Sequence, residues 1–187
     1  MGEVMPSELI LGGQRSGKSR RAELLARQWL DAAPAHRAVM IATGQAWDDE
    51  MRERIARHQR DRAERVPGMR TVEEPLALAE VLREHSAPQT LVMVDCLTLW
   101  LTNLMMPAEG APTDPEAPTD ALCSAIEIAS GPVVLVSNEI GLGVIPMGRE
   151  VRAFVDAQGR MNQRVAAVCA RATLMAAGLP LTLKDVS

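Results

Sequence analysis

Gly12, Gly13, Gln14, Arg15, Ser16, Gly17, Lys18 and Ser19 follow the spacing G-x-x-x-x-G-K-[ST]. That spacing suits a chain of phosphates. Glycines let backbone N–H groups curl around the anion, and the start of a helix faces it. The lysine reaches the outer phosphates and the serine hydroxyl ligates Mg²⁺. Lys18 is conspicuous for a second reason, since Lys184 is the only other lysine in the chain. Such a loop needs a second magnesium ligand at the end of a neighbouring strand. Leu91-Val-Met-Val-Asp95 supplies four apolar residues and then a carboxylate, at the end of a strand where α/β ligand sites form. Ser19 and Asp95 are therefore the candidate metal ligands, and the pair predicts binding of a nucleoside triphosphate with magnesium.

A second constellation lies on a helical stretch that opens with Asp48-Asp-Glu50, acids suited to a helix N-terminus. Arg54, His58 and Arg62 follow i, i+4, i+8 spacing and share one face, with Arg57 and Asp61 beside it. Spacing alone fits either a solvated charged face or a neutral imidazole nucleophile among phosphate-holding arginines. His36, after a Pro-Ala turn, and His85, at a helix end, read as structural.

These residues need a frame, and the chain alternates short apolar runs with helical patterns as a parallel α/β sheet does. The runs Glu8–Gly12, Ala38–Thr43, Thr90–Asp95 and Pro132–Ser137 read as strands, with a weaker one near Met69–Val72. Ala172–Met175 and Leu179–Leu183 read as a terminal hairpin. Helical stretches are Lys18–Ala32, Asp48–Arg65, Pro75–Glu84, Leu97–Met106 and Thr119–Ala129, then Gly148–Ala157 and Arg160–Ala170. The strands are continuous apolar runs, which predicts a sheet covered on both faces. Four prolines between Pro107 and Asp120 forbid a helix there and predict an exposed loop. Residues 1–7 form a short extension, and the whole chain reads as one nucleotide-binding catalytic domain.

Composition narrows the function. A chain of 187 residues, 47% hydrophobic and 24% charged, can bury a core without disulfides or structural metal. There is no Tyr and only one Phe, so the core is aliphatic and no base-stacking platform is available. A net charge of −4 disfavours a nucleic-acid partner. Cys96, Cys123 and Cys169 lack metal-ligand spacing and read as buried thiols. No apolar run reaches the roughly 20 residues of a membrane span, and no signal peptide opens the chain, so a cytoplasmic enzyme is expected.

Taken in order, several segments carry a resemblance. They are Gly12–Ser19, Ala42-Thr-Gly-Gln45, Asp48-Asp-Glu-Met51, Arg54-Ile-Ala-Arg-His58 and Asp95-Cys-Leu-Thr98. Thr102-Asn-Leu104, Val136-Ser-Asn-Glu-Ile-Gly-Leu-Gly-Val-Ile-Pro146 and Gly159-Arg-Met-Asn-Gln163 follow. From about Glu8 to Lys184 the chain resembles the bifunctional adenosylcobinamide kinase/adenosylcobinamide-phosphate guanylyltransferases of cobalamin biosynthesis.

The resemblance implies a RecA-like P-loop fold, a homotrimer and two reactions on a corrinoid. ATP or GTP phosphorylates the aminopropanol hydroxyl of adenosylcobinamide. GMP is then transferred from GTP to that phosphate through a histidine, with release of pyrophosphate. The matching histidine is His58, and Lys18 serves the phosphates. Thr43, Gly44, Gln45, Gln59, Arg60, Asp61, Arg62 and Glu73 are implied to contact the nucleotide. Arg54, Arg57 and Arg62 would offset charge on the pyrophosphate, and Glu139 would either orient the hydroxyl or cap a turn. A generic P-loop small-molecule kinase and a GTP-binding regulatory module are the alternatives, separated by whether GMP becomes covalently attached.

Overall fold

The computed structural model describes residues 6–45 and 49–186. Its elements are β1 (Glu8–Gly12), α1 (Lys18–Ala32), β2 (Arg37–Ala42), α2 (Asp49–Arg65), β3 (Arg70–Glu73) and α3 (Leu78–His85). They continue as β4 (Thr90–Asp95), α4 (Leu97–Met105), α5 (Glu116–Glu127), β5 (Val133–Val136), α6 (Arg149–Val168), β6 (Arg171–Ala176) and β7 (Leu179–Asp185). The side chains of Glu50, Met51, Arg54, Ile55 and His58 lie outside the described residues, as do Ala46, Trp47 and Asp48.

The seven strands form one sheet in the order β3-β2-β4-β5-β1-β6-β7. All neighbours pair in parallel except β6 with β7. Alternate residues of each strand enter opposite cores. Leu9, Leu11, Val92, Val94, Val133 and Leu135 pack under α3, α4, α5 and α6. Ile10, Met40, Leu91, Met93, Val134 and Val136 pack against Ala22 and Ala26 of α1 and Val66 beyond α2. The RecA-like P-loop α/β fold is the one expected, and the doubly covered sheet explains why its strands read as unbroken apolar runs.

Three local expectations differ. Helix α5 starts at Glu116, inside the proline-rich stretch, with Pro118 in its first turn. The first-turn N–H groups have no intrahelical acceptor, so a proline there costs no hydrogen bond. The two helices expected around Gly159 are one, α6, because that glycine keeps helical backbone and the buried stripe runs past it, from Ala157 and Gln158 to Met161 and Asn162. Cys96 and Cys123 are half-buried, and only Cys169 is fully buried.

Candidate nucleotide-binding and catalytic site

The phosphate loop begins where β1 ends. Gly12 has φ +151°, and a Cβ there would lie 2.5 Å from the Met175 carbonyl oxygen and 2.6 Å from Ser16 Oγ. Only glycine fits that backbone. Gly17 (φ 100°) turns the chain into α1, and the exposed Arg15 takes φ 57° at the tip. The β6–β7 turn, Ala177-Gly178, has positive φ at both residues, the twist a tight hairpin favours. It rests on the loop: Gly178 N donates to Ser16 O at 3.0 Å. The terminal hairpin thus braces the phosphate cradle, a role the sequence pattern did not disclose.

Lys18 is buried, and its ammonium donates to Gly13 O at 2.6 Å. Burial holds its pKa below the ordinary lysine value, with Cys96 and Asp95 pulling the other way. The Cys96 thiol is pushed up to about 11 by burial and by the adjacent Asp95 carboxylate. It therefore stays protonated near neutrality and is a poor nucleophile. Ser16 Oγ is covered and has no hydrogen-bond partner. An unsatisfied buried hydroxyl costs about 1–3 kcal/mol.

Asp95 ends β4, which is two strands from β1 rather than beside it, with β5 between. Cross-strand register sets Glu73, Ala42, Asp95, Val136 and Ile10 in one row across the C-terminal edge. Glu139 follows the intervening strand. Its N–H donates to Gly12 O at 3.0 Å, while its carboxylate accepts from Gly141 N at 3.0 Å.

Beyond β2, Thr43 is wholly buried and works as a clamp. Its hydroxyl donates to Cys96 O at 2.7 Å and accepts from Cys96 N at 3.0 Å, and Asn103 Nδ2 donates to Thr43 O. Gly44 and Gln45 are only half-buried. Gln59 and Glu73, distant in sequence, meet through Gln59 Nε2 and Glu73 Oε1 at 3.3 Å. Arg60 is exposed and Asp61 pairs with Arg65 at 3.6 Å. Arg62 is buried, with its guanidinium on the Met40 sulfur of β2. That contact ties α2 to the sheet. Arg65 adds a second anchor through the largely covered Glu23 of α1 at 3.0 Å. His58 lies on α2, its side chain outside the described residues.

A buried polar network joins two segments that had carried only the resemblance. Gln158 Nε2 faces three acceptors: Thr98 Oγ1 at 3.1 Å, Ser137 Oγ at 2.9 Å and Asn138 O at 3.2 Å. Ser137 Oγ donates to Asn162 Oδ1 at 2.7 Å, and Asn162 Nδ2 donates to Asn138 O at 3.1 Å. Asn138 N donates to Thr98 Oγ1 at 2.9 Å. The network fixes the backbone immediately before Glu139. Its sequence signal was two amides spaced i, i+4 on the otherwise apolar stripe of α6.

His36 stacks on Trp29 with ring centroids 3.7 Å apart and donates to the Trp29 carbonyl, a structural role. Among the described residues no helix is long and apolar enough to cross a membrane.

Comparison with known proteins bears on this geometry. Residues 8–183 match the family model described as cobinamide kinase/cobinamide phosphate guanyltransferase. The chain is 48% identical over 178 residues to the bifunctional adenosylcobalamin biosynthesis protein CobP of Pseudomonas aeruginosa, covering 95% of this chain and 96% of that one. It is 35% identical over 188 residues to the corresponding CobU of Escherichia coli, covering 94% and 98%. In fold alone it is similar to the flagellar accessory protein FlaH of Methanocaldococcus jannaschii, with TM-score 0.57 and 11% identity over 98% of this chain and 81% of that one. A Pyrococcus horikoshii protein aligns with TM-score 0.55 and 9% identity, covering 99% and 89%. With its phosphate loop, strand-end acids and amide network on one sheet edge, this chain belongs to the cobinamide kinase/cobinamide phosphate guanyltransferase family, whose members are bifunctional enzymes of adenosylcobalamin biosynthesis.

Proposed function

We propose that the protein phosphorylates adenosylcobinamide with ATP or GTP and then guanylylates the product from GTP through a covalent GMP on His58. The observation that carries this reading is the single row of strand ends: the phosphate loop, Asp95 and Glu73 share one edge of the sheet, and Glu73 touches Gln59 of the helix bearing His58.

In the kinase step Lys18 and the loop N–H groups hold the triphosphate in line with the substrate hydroxyl. The hydroxyl oxygen bonds to the γ-phosphorus, the bond to the β-bridging oxygen breaks, and the hydroxyl proton passes to solvent or to Glu139. In the transfer step a neutral His58 nitrogen attacks the α-phosphorus of GTP, and the bond to the departing pyrophosphate breaks. A phosphate oxygen of the phosphorylated corrinoid then attacks the same phosphorus. The P–N bond breaks, and adenosylcobinamide-GDP leaves with the imidazole restored.

Ser19 and Asp95 suit Mg²⁺, since both are hard oxygen donors at the phosphate end of the sheet. Among the described residues no three acidic, histidine or cysteine side chains form a cage, and a phosphate-bound Mg²⁺ needs only one or two protein oxygens. When bound it would neutralise charge on the phosphate oxygens. Assembly as a homotrimer in the cytoplasm belongs to the same proposal.

Product analysis tests the two chemistries separately. Wild-type protein with adenosylcobinamide and GTP should form the phosphate and then the GDP derivative. His58→Ala should stop at the phosphate, whereas Lys18→Ala should make neither. Formation of the GDP derivative by His58→Ala would overturn the covalent route.

A further inference from the structure

Between β5 and α6 the chain turns apolar side chains outward. Leu142, Val144, Ile145 and Met147 are each more than three-quarters exposed, Val144 and Met147 at 96%. Scattered exposed apolar residues are ordinary, but a contiguous run marks a surface that is covered in function. Under this run lies a cleft of about 450 Å³, within the roughly 300–1,000 Å³ of small-molecule sites. One wall is Ile140, Val144, Ile145 and Pro146; the other is Val155 and Gly159 of α6. Arg152, Asp156, Arg160 and Gln163 add polar groups along the helix. Arg152 also donates to Pro146 O at 3.1 Å and to Met147 O, tying the segment to the helix.

The cleft adjoins the phosphate loop through one residue. Glu139 holds Gly12 O with its N–H and Gly141 N with its carboxylate, and Gly141 lines the cleft. The cleft thus begins one hydrogen bond beyond the residue that holds Gly12 O.

We infer that this cleft docks the corrinoid, an inference resting on the function proposed above. A corrinoid combines an apolar ring edge bearing methyl groups with neutral carboxamide arms. The walls suit the methyls, and Arg152, Asp156 and Gln163 offer both donors and acceptors to amides. A triphosphate suits it less well, because Asp156 opposes the two arginines. The cleft takes one edge of the macrocycle, and the exposed Leu142 and Met147 meet the rest.

Gly159 supplies the test. A Cβ there meets nothing within 4 Å, so Gly159→Leu starts its side chain in open space at the cleft and favours the helix by about 1 kcal/mol. Adenosylcobinamide is titrated, without nucleotide, into wild type, Gly159→Leu, Ile145→Asp and the control Ala167→Leu, an exposed α6 position outside the cleft. Binding is followed by equilibrium dialysis with corrin absorbance, and mass by sedimentation. Both cleft variants should weaken Kd at least tenfold while the control matches wild type. Wild-type Kd in both cleft variants would overturn the docking assignment. If sedimentation changed at the same time, the cleft would instead be an interface between copies of the chain. Tight, cleft-dependent corrinoid binding by wild type without turnover would sink the proposed function but leave the docking surface standing.

Discussion

Gly12 in the phosphate loop and Gly159 in the cleft mark two different ways of building a site. At Gly12 a single added carbon would strike the Met175 carbonyl at 2.5 Å; at Gly159 the same carbon enters open space. The phosphate loop is a backbone construction, closed by β1, α1 and the hairpin turn, and specific for a group every nucleotide carries. The cleft is a side-chain construction, with apolar walls and polar groups along one helix. A small invariant anion rewards a rigid cradle of N–H groups. A bulky amphipathic partner rewards accessible side-chain surface.

The sharpest way to break that comparison is Gly12→Ala. With backbone on one side and φ +151°, the substitution should destabilise the fold by about 3 kcal/mol and abolish GTP binding. Denaturant unfolding and dialysis would show it, and a wild-type midpoint with intact affinity would refute a backbone-built cradle.

Lys18→Met should erase the stabilisation by GTP, which for wild type is about 2.7 kcal/mol at a hundredfold excess over Kd. Because burial lowers the Lys18 pKa, the unfolded chain binds the more protons at alkaline pH, so this group's contribution to stability rises with pH. Near neutrality its buried charge is a cost. The nucleotide-free variant should therefore melt at the wild-type temperature or above. GTP affinity of wild type should fall at a pH below that at which an ordinary lysine deprotonates. A Lys18→Met protein that melts lower without nucleotide would contradict this.

Gln158→Leu tests whether the amide network serves the cleft side or the fold alone. Losing its bonds to Thr98, Ser137 and Asn138 should cost about 1–2 kcal/mol. Turnover with corrinoid should drop while GTP affinity stays within about twofold. Equal losses in both would make the network merely structural.

The smallest effect is expected at Ala177, whose φ of 52° costs a non-glycine residue about 1–2 kcal/mol. Glycine relieves this but loses about 0.5–1 kcal/mol in chain entropy. Ala177→Gly should thus stabilise by about 0.5 kcal/mol, read as a small rise in Tm.

Much of the nucleotide side was legible in sequence because its requirements are local. The phosphate loop has a fixed spacing, and β1 and β4 were readable to the residue because both faces of the sheet are covered. The failures were non-local or positional. Nothing in the run ending at Asp95 shows that β5 lies between it and β1. Arg62 read as part of a charged face, yet a cation whose guanidinium is buried on Met40 has the same spacing as one in water. Pro118 and Gly159 were read by residue type, while position in the first turn and between two buried turns of one helix decided their structures.

The central claim, that GMP passes through His58, is tested most directly by trapping. The protein is incubated with Mg²⁺ and GTP labelled at the α-phosphate, denatured, and the bound label challenged with acid and with base, beside His58→Ala. The account predicts about one equivalent of base-stable, acid-labile label on wild type and none on the variant, the behaviour of a phosphoramidate. Label that persists in His58→Ala, or its absence from a wild-type protein that still makes the GDP derivative, would contradict it.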